Sequence, residues 1–219
     1  MRREVVLTLD GSHTIYVPEL DEHYHSTGGA INESEHVFIR AGFDYCRKSV
    51  VTVFEAGFGT GLNALLTALR SREMNRKTEF VTIEKYPLPA AVSGSLNFPE
   101  QAGKGAAGLF TAIHRASWNR KVVIDKHFVL HKIEGDLVDN IPDCRADVIY
   151  YDAFAPSKQP EMWNSDLLRR VVALLEPGGI FVTYSARGEV RRTLKSAGLQ
   201  IDLLRGAAGK RHMLRAVKI

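Results

Sequence analysis

The chain has 219 residues, 45% of them hydrophobic and 25% charged, which suits one buried core and excludes a low-complexity or fibrous protein. No apolar run is long enough to span a bilayer, and the start, MRREVVLTLDGSHTIYV, lacks the apolar core and cleavage site of a secretory signal, so a cytoplasmic protein with no membrane partner is expected. A formal charge of +4 leans towards an anionic partner, while two distant cysteines, Cys46 and Cys144, offer neither a disulfide framework nor a metal site.

In chain order, EVVLTL and HTIYV alternate about Asp10-Gly11 and predict a hairpin with a tight turn. A polar, histidine-rich loop follows, placed to close over a site; His23 and His25 within it read either as acid-base groups or as turn caps. A helical pattern then runs through Val37, Phe38, Ala41 and Tyr45. Residues 1–48 are thus expected to be a small addition on a main domain of residues 49–219. From Val50 short apolar strands alternate with amphipathic helices: VVTVFE, LNALLTALR, EFVTIE, PLPAAVSGSLNF, HFVLHKIE, ADVIYYD, SDLLRRVVALLE, GIFVTYSA and EVRRTLKSAG. Such alternation predicts a mostly parallel sheet covered on both faces. The last two runs, LQIDLL and HMLRAVKI, are separated only by RGAAGKR and predict an antiparallel closing hairpin. A parallel sheet ending in that hairpin is similar to the class I S-adenosylmethionine (SAM)-dependent methyltransferase fold, a Rossmann-like α/β arrangement.

VFEAGFGTGLN is the strongest local signal: a strand, then Gly57, Gly59 and Gly61 with Phe58 and Thr60 between them, then a helix opening at Leu62 and Asn63. Glycines there permit a tight strand-to-helix turn and a ligand laid against bare backbone, although a close-packed turn alone would use them too. A dinucleotide fingerprint places its third glycine one residue later, and Glu55 just before the loop would repel a pyrophosphate. SAM, with a sulfonium and an ammonium, is favoured by the same carboxylate. Glu84, followed by Lys85, ends the next strand where an acid would accept hydrogen bonds from ribose hydroxyls; it reads otherwise as a surface glutamate before a turn. Gly135 and Asp136 follow a further strand, with Asp136 an adenine ligand or a helix N-cap.

ADVIYYD ends in Asp152, predicted to lie beside the glycine loop and to face the methyl group, or else to cap a loop or pair with Lys158. From Arg187 onward nine Arg and Lys residues face only Glu189 and Asp202, an excess suited to phosphates or to a solvated surface.

DAFAPSKQPEMW, LEPGGIFVTYSARGEVRRTLKSAGL, GKRHML and FEAGFGTGLN, in that mutual arrangement, resemble the methyltransferase portion of the MnmC/MnmD family, the tRNA 5-methylaminomethyl-2-thiouridine methyltransferases. The resemblance runs from about Val50 to the end, and DEHYHSTGGAINESEHVFI is similar to the family's entry segment. With no FAD-dependent domain before Ile219, the chain resembles the stand-alone form. It implies SAM as cofactor, the tRNA anticodon region as partner, no metal, and N-methylation of a 5-aminomethyl group on the wobble uridine, position 34. Asp152 is then the catalytic residue, aiming the amine lone pair. The ordinary gap of about six pKa units between an aspartate and an alkylamine argues against it as sole base. Phe154 stacks on the flipped uracil or plugs the core. Pro156 and Pro160 stiffen the loop or only end the strand, Lys158 meets RNA or solvent, Tyr184 lines the pocket or is simply buried, and Lys210 and Arg211 grip the anticodon stem. Met162 and Trp163 are expected in the core. Three other readings remain: a methyltransferase of a small-molecule amine, a non-catalytic RNA-binding protein of the same fold, and, more remotely, an NAD oxidoreductase.

Overall fold

A computed structural model describes residues 2–207 and 209–219. The N-terminal hairpin forms as the alternation predicts, with β1 (Glu4–Leu7) antiparallel to β2 (His13–Val17) and Gly11 at positive φ in the turn. A two-residue strand, β3 (Glu22–His23), extends it to three strands. Helix α1 (Ala30–Ser34) then runs directly into a π-helical segment, Glu35–Phe43, which buries Val37, Phe38, Ile39 and Phe43. Its last carbonyl is capped from outside: buried Arg76 donates to Phe43 O at 2.9 Å, and also to Cys46 O, just beyond the segment, at 2.7 Å. Tyr45 lies beyond the helix and is exposed.

The remaining strands form one eight-stranded sheet in the order β10-β11-β9-β8-β4-β5-β7-β6. Its parallel centre is β4 (Val50–Ala56), β5 (Lys77–Glu84), β7 (Phe128–Glu134), β8 (Ala146–Tyr151) and β9 (Leu175–Thr183). The expected closing hairpin is there: β10 (Leu199–Arg205) pairs antiparallel with β11 (His212–Lys218), which pairs antiparallel with β9. The opposite edge adds an unpredicted strand, β6 (Arg120–Asp125), antiparallel to β7.

Apolar side chains fill both faces. One layer holds the π-helical segment, α2 (Leu62–Glu73) and α5 (Ala106–Arg115) against Val51, Val53, Phe80, Leu130, Val148 and Tyr150. The other holds α6 (Ser165–Val172) and α7 (Gly188–Ser196) against Phe54, Val81, Ile149, Tyr151 and Phe181. The segment predicted as a single helix, PLPAAVSGSLNF, is instead two single turns, α3 (Ala90–Ser93) and α4 (Phe98–Gln101). Helix α6 stops at Val172 rather than at Glu176, because β9 begins at Leu175, which pairs with Ala146 before a register shift. The carboxyl ends of β4, β5, β7, β8 and β9 lie along one edge of the sheet, where open α/β folds carry their sites.

Candidate active site

A cavity of about 510 Å³ opens at that edge, within the usual range for a small-molecule site. Its floor is the loop between β4 and α2. Gly57, Gly59 and Gly61 all have positive φ, and the turn closes through Gly61 N–H to Phe58 O at 2.9 Å. At Gly61, the residue that precedes α2, a Cβ would lie 2.9 Å from Phe58 Cζ and 3.0 Å from His114 Nε2, so the loop admits no side chain there.

Neighbouring strands fix the loop. The carboxylate of Glu84 accepts from Gly59 N–H at 2.9 Å and from Tyr86 N–H at 2.8 Å, joining the end of β5 to the loop. Asp136 accepts from Lys85 Nζ at 2.6 Å and from Val138 N–H at 2.9 Å, and its carbonyl accepts from Asn140 N–H at 2.9 Å. It therefore organises a turn, with no helix following it to cap, while still lining the cavity beside Gly135.

Asp152 follows β8, adjacent to β4, and its Oδ2 accepts from Asn63 Nδ2 at 2.9 Å. Burial raises its pKa to about 7; the Glu33 carboxylate adds to the rise, and the Asn63 hydrogen bond and the Lys210 charge oppose it. Asn63 Oδ1 is buried and has no donor among the described residues. Asn63, Glu84, Asp136 and Asp152 make a wall rich in acceptors, which fits a ligand bringing N–H and O–H donors; SAM has both in its ammonium and ribose hydroxyls.

The N-terminal segment closes the cavity opposite the sheet edge. Tyr24 lies over Gly59 and meets Phe154 edge-on with ring centroids 5.0 Å apart. Buried His25 bonds Thr60 Oγ1 through Nε2 at 2.7 Å, and burial lowers its pKa to about 4, so it is neutral. That pair ties the histidine-rich loop to the glycine loop. Arg3 joins the wall and donates to Tyr86 O at 3.0 Å.

The sequence-predicted residues divide. Gly57, Phe58, Gly59, Thr60, Asn63, Glu84, Lys85, Gly135, Asp136, Asp152, Phe154, Tyr184 and Lys210 all line this one cavity. Glu55 does not: it lies fully buried within β4, where it accepts from Thr82 Oγ1 at 2.8 Å and burial raises its pKa well above the carboxylate range. A carboxyl turned into the sheet and away from the cavity wall does not face a ligand, so the charge argument against pyrophosphate loses its footing. Gly61, Pro156, Lys158 and Arg211 also stand outside the cavity wall, and Lys158 reaches Asp21 at 3.5 Å. Lys210 and Arg211, expected side by side on an outward turn, are both exposed, but their contacts differ: Lys210 reaches back to Glu33 at 2.6 Å and lines the cavity, and Arg211 does not line it. Met162 is buried but belongs to the cavity wall, and half-buried Trp163 donates to Phe154 O at 2.7 Å.

Sequence reasoning missed Glu33, Tyr24 and the support behind the loop. There Lys132, 1% exposed, donates to Ile113 O and His114 O at the end of α5 and sits 5.3 Å and 4.7 Å from the ring centres of Phe58 and Trp118. Burial lowers its pKa to about 8. His114 Nε2 donates to Thr60 O at 3.1 Å, with its own pKa lowered to about 4 by burial. A strand position two after Leu130 in an inward-facing series was the available signal for Lys132.

Among the described residues no helix is long and apolar enough to cross a membrane, and no group of three His, Cys, Asp or Glu is placed to hold a metal.

Comparison with known proteins agrees with this geometry. Residues 109–219 match a family of S-adenosyl-L-methionine-dependent methyltransferases. A Burkholderia multivorans protein, the tRNA 5-methylaminomethyl-2-thiouridine biosynthesis bifunctional protein MnmC, is 33% identical over 92% of this chain; a Pseudomonas fluorescens protein of the same name is 33% identical over 89%. The chain spans about a third of the length of these relatives. The crystal structure of MNMC2 from Aquifex aeolicus superposes with a TM-score of 0.81 at 26% identity, covering 98% of this chain and 69% of that one. A SAM-bound amino pentose methyltransferase from Micromonospora echinaspora shares the fold, with a TM-score of 0.52 at 13% identity over 88% of this chain and 93% of its own. A class I fold, a glycine-loop cavity at its carboxyl edge and the family match over more than half of the residues lead to one statement: the chain belongs to the S-adenosyl-L-methionine-dependent methyltransferase family.

Proposed function

We propose that the chain methylates the nitrogen of a 5-aminomethyl group on uridine or 2-thiouridine at the tRNA wobble position, giving the 5-methylaminomethyl nucleoside. The observation that carries this is Asp152, a carboxylate of raised pKa held by Asn63 at the cavity wall beside the glycine loop. The names of the full-length relatives supply the nucleoside. In this reading the glycine loop, Asn63, Glu84, Lys85, Gly135 and Asp136 hold SAM, and residues 1–48 roof a domain of residues 49–219.

When bound, SAM supplies a methyl group on a cationic sulfur. The protein's share is orientation, charge and proton management. Fixing donor and acceptor in one geometry removes most of the entropic part of the barrier. Asp152 accepts an amine N–H, aims the lone pair and offsets the positive charge that grows on nitrogen. Its pKa of about 7 also narrows the mismatch with an alkylamine to about three units, or about 4 kcal/mol, which proton transfer can bear as a step before attack. Phe154 and Tyr24, set edge to face at the mouth, offer an aromatic contact for an extruded base. Exposed basic residues of α7, among them Arg191 and Arg192, suit a phosphate backbone.

The test is nucleoside mass spectrometry of tRNA bearing 5-aminomethyluridine after incubation with the protein and SAM. Mass gain of one methyl at that nucleoside is expected, with kcat/KM rising with pH through about 7 as Asp152 ionises. Asp152→Asn should lower kcat by about 100-fold or more and remove that pH limb. Transfer to small amines but not to tRNA would sink the reading.

A further inference from the structure

Glu33, Tyr184, Lys210 and Asp152 come from four separate segments and line the same cavity. Glu33, on α1, is 6% exposed, and both of its oxygens are used: one accepts from Ser26 N–H at 2.8 Å, the other from Lys210 Nζ at 2.6 Å. The Lys210 ammonium also lies 4.7 Å from the centre of the Tyr184 ring. Tyr184 is fixed in turn, its hydroxyl donating to Ala153 O at 2.7 Å, next to Asp152. The carboxylate and the ring are therefore rigid, and together they hold a primary ammonium.

The cation is the loose member. Its side chain is 41% exposed against 8% for that of Glu33. It hangs from the turn between β10 and β11, closed by Gly206 N–H to Arg211 O at 3.4 Å and Lys210 N–H to Ala207 O at 2.9 Å. A Cβ at Gly206 would lie 2.4 Å from Lys210 O, so the turn backbone is closely packed where Lys210 leaves it, and the freedom lies in the side chain. Removing a cation from a buried carboxylate is costly, but replacing it by another of the same kind keeps the pairing intact. An aromatic face beside a carboxylate is also a general way to select an ammonium.

We propose that Glu33 and the Tyr184 ring form an alkylammonium subsite, which Lys210 fills in the resting protein and which the aminomethyl group of the acceptor takes over as its ammonium. The inference rests on the nitrogen-acceptor reading above. Loss of one proton from the seated ammonium to the Asp152 carboxylate breaks an N–H bond, makes an O–H bond and leaves the lone pair free for attack. Lys210 then acts as a placeholder that keeps Glu33 paired until the acceptor arrives, rather than as a grip on RNA phosphate.

Chemical rescue tests this without any tRNA. Lys210→Ala should melt at a lower temperature than wild type, and n-propylammonium chloride should restore its melting temperature saturably, beyond sodium chloride at equal ionic strength. The double variant Glu33→Gln, Lys210→Ala should show no such gain. Rescue no better than sodium chloride, or equal rescue of the double variant, overturns the subsite. Should Lys210→Ala not fold, Glu33→Gln supplies the second arm: the acceptor KM should rise tenfold or more while the SAM Kd changes less than twofold. Equal loss of both overturns the proposal. If wild type transfers no methyl group to tRNA, the nucleoside reading falls, while the rescue, read by melting alone, still decides the subsite.

Discussion

At the scale of single residues, Asp152 and His25 face one cavity and pull stability in opposite directions with pH. His25 is neutral in the fold, with a pKa of about 4 against an ordinary 6.5. Its contribution is therefore present above pH 6.5 and lost as pH falls through 4, amounting to about 3 kcal/mol by linkage. Asp152 has the reverse sign: its raised pKa favours the folded state below the ordinary 3.8, and that contribution disappears as pH rises through about 7. Because the slopes oppose each other between pH 4 and 6.5, the wild-type curve alone resolves neither. His25→Asn isolates one of them. The stability gap between wild type and His25→Asn, from urea denaturation, should shrink by about 3 kcal/mol between pH 7 and pH 4; a gap independent of pH would show that His25 is not held neutral.

At the scale of elements, the glycine loop is held from two sides. His25 grips Thr60 from the cavity, and His114 and Lys132 brace Thr60 and Phe58 from behind. Phe58 also lines a second cavity of about 500 Å³ on that far side, so the loop is a partition and not a surface feature. Lys132→Met keeps the bulk but leaves the Ile113 and His114 carbonyls without their donor, at a cost of about 1–3 kcal/mol. It should also weaken SAM binding several-fold by calorimetry, with kcat at saturating SAM nearly unchanged. An unaltered Kd would mean that the loop holds its shape without this brace.

Legibility also belongs to the elements. Strands with a buried face were plain in the amino-acid order, and so was the glycine turn, because alternation and positive φ each leave a pattern. β6 left none: on this edge strand Val122 and Ile124 pack on the core, but the residue between them that faces out, Val123, is apolar too and 72% exposed, so no polar residue separates them. Helix α5 carries Gly108 in its interior, which weakens the helical signal. Site residues on the sheet edge followed from topology. Glu33 did not, because only the fold brings helix α1 opposite the last hairpin; its one trace is a carboxylate four residues before buried Val37, on the same helical face.

For the molecule as a whole, the cavity wall draws on segments from Arg3 to Lys210, so donor and acceptor regions are linked through contacts that cross the whole chain. Hydrogen exchange should register this. Adding SAM is expected to slow exchange together in residues 57–61, 22–27 and 83–86, which the Glu84 and His25 bonds connect. Protection confined to residues 57–61 would separate the roof from the floor.

The inward turn at Lys210 has one more consequence. During synthesis the roof, the glycine loop and Asp152 all leave the ribosome well before the turn does, so the nascent chain carries Glu33 without its ammonium until Lys210 follows 177 residues later. Until the final hairpin docks, the pocket's charge is unbalanced, and a nascent chain stalled before Gly206 should hold neither a settled Glu33 nor a finished methyl-transfer chamber.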